Sequence, residues 1–157
     1  MPAVRWGANG PKMLALSGEI ADGALPAMAP PEFTAQARQL LGPGKLLVAG
    51  LAVVADADPD RAKATARQTV AGRLGQPGTY AATMARLGYS EREITEVSDR
   101  LVDGIVGHGD AAAIAAKVRE HLAAGADHVM VMPVGTDFAI GVDQLEQLAP
   151  TLAGLTS

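Results

Sequence analysis

A chain of 157 residues is sized for one domain, residues 1–157, that buries roughly two-thirds of its unfolded surface. It has no cysteine, which excludes disulfides and thiolate chemistry, and its net charge of −4 gives no basic footprint for nucleic acid. No apolar run approaches the roughly 20 residues of a membrane span and the N-terminus lacks signal-peptide features, so a soluble, cytoplasmic protein without nucleic-acid or membrane partners is expected.

The chain opens on an extended stretch, Pro2 to Trp6, and turns through Gly7-Ala8-Asn9-Gly10 into a helix with Pro11 at its first position. Met13, Leu16 and Ile20 recur at the spacing of one helix face, and Gly23 is the expected glycine just past the helix end. Such an opening leaves backbone N–H groups unpaired at the positive end of the helix dipole. That combination is a phosphate seat, and Lys12 in the first turn suits a nearby anion. The bland reading is a tight turn, and the stretch matches neither the dinucleotide nor the Walker pattern.

Ala24 to Met28 reads as a short buried strand, broken by Pro30-Pro31, and Thr34 to Leu41 as a helix closed by Gly42-Pro43-Gly44. Leu46 to Val54 is a continuous apolar run, the pattern of a strand covered on both faces. Asp58-Pro59-Asp60 starts a helix that runs from Arg61 to Leu74. A helical insertion follows over about 75–107: Thr79 to Leu87, a helix opened by the Ser90/Glu93 capping box, and Asp99 to Val106. Asp110 caps a helix with Ile114, Val118 and Leu122 on one face, Gly125 ends it, Asp127 to Met132 is a buried strand, and Gln144 to Leu152 closes the chain. The alternation predicts parallel β/α units with right-handed crossovers, about four of them.

Three stretches carry a likeness to a known family. They are Gly7 to Met13 with Ala21-Asp22-Gly23-Ala24, then Ser98 to Asp103 leading to Gly109-Asp110, then Ile114 to His121 with Ala124 to Val129. In their order and spacing the chain resembles the C-terminal half of luciferase-like monooxygenases, and more closely the branch that uses coenzyme F420, with FMN as the alternative. The resemblance implies an α/β fold, half of a (β/α)8 TIM barrel, with cofactor at the C-terminal ends of the strands. It implies an oxidoreductase that moves a hydride between deazaflavin and a small organic substrate. Ala8, Asn9 and Gly10 would then touch the coenzyme tail through backbone N–H groups, with Lys12, Gly23 and Ala24 nearby. By the same comparison the chain starts at about the fifth strand. It is expected to be a fragment, or a shortened protein that completes a barrel as a homo-oligomer; the competing reading is a catalytically silent module that binds phosphate or dimerises.

The remaining candidates are weaker. The spacing of His108, His121 and His128 offers no metal pair, so no metal is expected. His121, near a helix C-terminus, is read as structural through the dipole, while His108 in its loop is the histidine able to face a ligand. Asp56, Asp58, Asp60, Glu91 and Glu93 read as cap chemistry, and Thr79, Tyr80 and Arg86 lie where this fold carries substrate-facing segments.

Overall fold

The apolar run at Leu46 does form the strand covered on both faces. In the computed structural model, which describes residues 5–155, it is β3 (Leu46–Ala55). Leu51 and Val53 meet the helices α7 (Ala111–Ala123) and α8 (Phe138–Ala153) on one face. Ala52 and Val54 enter a core with α3 (Pro59–Leu74), α4 (Tyr80–Arg86) and α6 (Asp99–Ile105) on the other.

Every strand pairing is parallel. β1 (Arg5–Trp6) pairs with β2 (Gly23–Ala24), β2 with β3, and β3 with both β4 (Val106–Gly109) and β5 (His128–Pro133). Gly50 faces Ala27 on one side and Met130 on the other, while Ala52 faces Val106 and Met132. A strand has two edges, so β5 holds one of them and β2 and β4 share the other, end to end. The helices α1 (Pro11–Ile20) and α2 (Pro31–Leu41) follow β1 and β2, and the short α5 (Glu91–Thr95) lies between α4 and α6. The result is an α/β fold with a parallel sheet, its helices crossing between parallel strands.

Several boundaries follow from local chemistry that the sequence declares. The Asp58 side chain accepts from the amides of Asp60 and Arg61, and Ser90 and Glu93 form the reciprocal capping box. Asp110 accepts from the Ala113 amide at the start of α7.

Other expectations are corrected. The described residues form five strands, one more than expected, because Val106, expected to end a helix, and Gly107 to Gly109, expected as a loop, pair with Ala52 to Ala55. The short strand after Gly23 is only Gly23–Ala24 plus a bridge at Ala27; Pro26 has no N–H to give a ladder. The segment does end before Pro30-Pro31, but α2 starts there rather than at Thr34, with Pro31 where its missing N–H costs nothing. The last helix begins at Phe138, capped by Asp137, rather than at Gln144. β5 is not buried: His128 and Met130 are exposed on its face turned from α7 and α8. On α1 the buried residues are Leu14 and Ser17, whereas Met13, Leu16 and Ile20 stand on the surface. The first strand's residues 1–4 lie outside the described residues.

Candidate functional site

The N-terminal turn sits where β1 ends and α1 begins. Gly10 is the N-cap, extended at φ −143° and ψ 154°, and no side chain caps it. Pro11 follows with no N–H, and the first intrahelical bond runs from the Leu14 amide to the Gly10 carbonyl. The amides of Lys12 and Met13 therefore have no intrahelical partner, at the positive end of the helix. No acid stands in this first turn, and Lys12 is exposed. An anion would find donors here that no group of the described residues uses.

The turn is held from beneath. Ala8 is fully buried with Leu14, Ala24 and Phe33 in one hydrophobic cluster. The Asn9 side-chain oxygen accepts from the Ala27 amide at 3.0 Å, which fixes the turn to the segment after β2. That segment is itself pinned. The Gly50 amide donates to the Pro26 carbonyl at 2.7 Å, and the Met28 amide to the Gly50 carbonyl at 3.0 Å. Met28 has φ 56°, an unusual conformation for a side chain of its size, and its carbonyl accepts from the Tyr80 hydroxyl.

Tyr80 thus ties the helices that follow α3 to the rim of the site. Burial pushes its phenol well above the ordinary value, which keeps the hydroxyl protonated and donating. A Tyr80→Phe variant leaves the Met28 carbonyl unsatisfied and is expected to lose about 1–2 kcal/mol in urea unfolding. It should keep the Arg73 stacking on the ring, now 5.0 Å from guanidinium carbon to centroid.

Of the six residues expected to touch a cofactor, the structure brings Ala8, Asn9, Gly10 and Lys12 together on one turn. Gly23 and Ala24 lie beside them as β2, with Ala24 in register with Trp6 and both residues buried. Gly23 is not the glycine after a helix. A Cβ there would stand 2.1 Å from the Leu46 carbonyl oxygen, so the close approach of β2 to β3 demands glycine.

A groove of about 360 Å³ starts at the same helix opening. It runs from Pro11 and Leu14 past Phe33 to Thr83, Arg86 and Leu87. Arg86 donates to the Thr83 hydroxyl at 2.9 Å and pairs with no carboxylate among the described residues. Of the three insertion residues singled out from sequence, Arg86 is the one on this groove; Tyr80 is buried. Sequence reasoning missed Ala27, Met28 and Thr83, whose roles come from contacts between segments far apart in the chain.

The histidines divide as follows. His108 is not in a loop but on β4, and its Nε2 lies 2.8 Å from Asp103 on α6. His121 is structural as expected, though for another reason: it is 1% exposed, with Nδ1 2.8 Å from the Thr34 hydroxyl. Burial, with Lys117 adding to it, lowers its pKa to about 4, so it is neutral and no partner of a helix dipole. Among the described residues, no three His, Asp or Glu side chains are grouped to hold a metal, and no helix is long and apolar enough to cross a membrane.

Comparison with known proteins places this architecture. No curated protein matches the sequence. Among solved structures, the chain is similar to a coenzyme F420-dependent tetrahydromethanopterin reductase from Methanopyrus kandleri, at 22% identity and TM-score 0.71, covering 96% of this chain and 51% of that one. It is also similar to an F420-dependent secondary alcohol dehydrogenase determined with an F420–acetone adduct, at 16% identity and TM-score 0.64, covering 96% and 48%. At these identities the likeness is one of fold, and the chain spans about half the length of both enzymes. The sequence profile of the luciferase-like monooxygenases matches residues 1–128, most of the chain. The chain belongs to the luciferase-like monooxygenase family.

Proposed function

We propose that this chain is the tail-binding half of an F420-dependent oxidoreductase that moves a hydride between the deazaflavin and an organic substrate. The observation that carries this reading is the uncapped opening of α1, whose unpaired Lys12 and Met13 amides sit beside the Asn9-locked turn. The fit is chemical: a phosphorylated tail needs convergent N–H donors without a competing carboxylate, and that is what the turn offers. Ala8, Asn9 and Gly10 would hold the tail through backbone groups, and Lys12 would add its charge. Gly23 and Ala24 would form the wall beneath. When bound, the deazaflavin supplies the carbon that takes up or releases hydride; the protein orients it and keeps water away. The groove toward Arg86 would take the substrate, its apolar wall meeting a carbon skeleton and its guanidinium a carbonyl or carboxylate.

The solved F420-dependent structures support the choice of F420 over FMN. Fluorescence titration tests it, with F420 binding and no FMN binding as the expected result. The reverse pattern would favour an FMN enzyme. Binding of neither to a folded sample would leave a module without redox chemistry.

A Gly10→Asp variant separates the ligand from the fold. An Asp at the N-cap satisfies a free amide and favours the dipole, so stability should hold or rise by a few tenths of a kcal/mol. The same carboxylate occupies the donors and repels phosphate. Affinity for F420 should fall at least about tenfold, near 1.4 kcal/mol. Unchanged affinity would remove the turn from the site.

A further inference from the structure

Both ends of the sheet stop in the same way. At one end β1 pairs only with β2 among the described residues, and at the other β5 pairs only with β3; the four-residue β4, also paired only with β3, lies beyond β2 on the same β3 edge. Each of these strands therefore has an edge with N–H and C=O groups free to pair.

The helix above each open edge carries a second apolar flank. On α1, Gly18 marks the side that abuts α2, since a Cβ there would lie 2.9 Å from the Leu41 carbonyl oxygen. Met13, Leu16 and Ile20 lie on the opposite flank, exposed by 39%, 37% and 59%. On α8, Leu148 packs with Ile114 and Val118 of α7. Phe138, Val142 and Leu145 lie on the flank turned from α7, exposed by 89%, 37% and 39%, along a cleft of about 230 Å³ that they share with Pro133 and Gly141. In a layered α/β wall, such flanks are where the next helix packs.

We infer that these two ends close on each other in a homodimer: β5 and α8 of one copy dock on β1 and α1 of a second, and the same seam repeats at the opposite side. Three observations favour a second copy as the occupant. The ends are of matching kind, each an open parallel edge beneath an apolar helix flank, so each supplies what the other lacks. The chain spans 51% and 48% of the two F420-dependent enzymes, so two copies supply a wall the length of one such chain and a twofold rotation closes it. Charge selects this head-to-tail order. α8 carries Asp143 and Glu146 and no basic residue, while on α1 Lys12 is balanced by Glu19. Docking α8 on the neutral α1 avoids the clash of acids that α8 on α8 would bring.

Sedimentation velocity of the unmodified chain over a wide concentration range tests this, and twice the chain mass is expected. Leu16→Asp and Leu145→Asp, each on one half of the seam, should give monomers whose circular dichroism is unchanged. Met13→Asp and Val142→Asp are a second pair, at positions already exposed and so tolerant of charge. Ile140→Asp, on the other flank of α8 and 50% exposed, should remain dimeric. A monomer at every concentration overturns the proposal, as does a dimer that survives the Leu16 and Leu145 substitutions. Dimerisation is read without cofactor, so its outcome is independent of the F420 titration.

Discussion

A Gly23→Ala variant is expected to lose roughly 3 kcal/mol of stability or more, the upper range for overpacking a rigid site. The added methyl would stand 2.1 Å from the Leu46 carbonyl oxygen and 2.9 Å from the Leu46 carbonyl carbon and Cβ. A flexible side chain could swing away, but most of this obstacle is backbone in a ladder. Relief would need β2 to move off β3, which breaks the Gly23–Leu46 and Ala24–Leu47 register. It would also pull Ala24 out of the cluster with Ala8 and Leu14, beneath the proposed tail site. Gly72→Ala is the control. Gly72 lies within α3 with nothing within 4 Å of the added Cβ, so alanine there should stabilise by about 1 kcal/mol. Urea unfolding of both variants checks the pair of opposite signs; a Gly23→Ala protein as stable as the parent would mean that β2 does not lie as described.

The second large effect is a loss of stability in mild acid, traced to His121. Its folded pKa is lowered to about 4 from an unfolded value of 6.5, chiefly by burial. The folded imidazole stays neutral where the unfolded one takes up a proton, so the unfolded state binds more protons between these values. Stability is therefore full above about pH 6.5 and declines as the pH falls toward 4. The complete loss approaches roughly 3 kcal/mol, at 1.36 kcal/mol per pH unit. Its Nε2 is buried without a hydrogen-bond partner among the described residues, so a second proton there would find no acceptor among them. The measurement is urea unfolding at pH 7 and at pH 4.5 for the parent and for a His121→Leu, Thr34→Val double variant. The double variant replaces both members of the hydrogen bond, so neither is left unsatisfied. It should lose much less stability between the two pH values than the parent. An equal loss in both proteins would assign the acid sensitivity to other groups.

What could be read from the sequence was local. The β3 run, the Asp58 cap, the Ser90–Glu93 box and the Asp110 cap are set by residues within a few positions of one another. The turn into α1 was legible for the same reason, since a small-residue loop and a proline at the first helical position advertise open amides; its binding of a cofactor remains the proposal. What failed depended on distant partners. β4 is Val-Gly-His-Gly, with no apolar run of its own, and is a strand because Ala52 to Ala55 pair with it. On α1, hydrophobicity chose Met13, Leu16 and Ile20, but close approach to α2 requires Gly18 and a small neighbour such as Ser17 on the buried side. Gly23 was assigned to a helix end because a glycine after a helix suggests one; its actual cause is Leu46, distant in sequence. The roles of Asn9 toward Ala27 and Tyr80 toward Met28 join segments that no short pattern connects.

The sharing of one β3 edge by β2 and β4 bears on how the molecule comes apart. Three different partners grip the central strand along its length, so it has no loose tip from which fraying could spread. Opening of the sheet has to begin at the margins, with β1, β4 or β5, and frees β3 only after its neighbours have left. The centre is therefore the last part to yield, while the turn proposed to receive the coenzyme lies at a margin and is steadied by that centre, through Asn9 on Ala27 and the bonds of Pro26 and Met28 to Gly50.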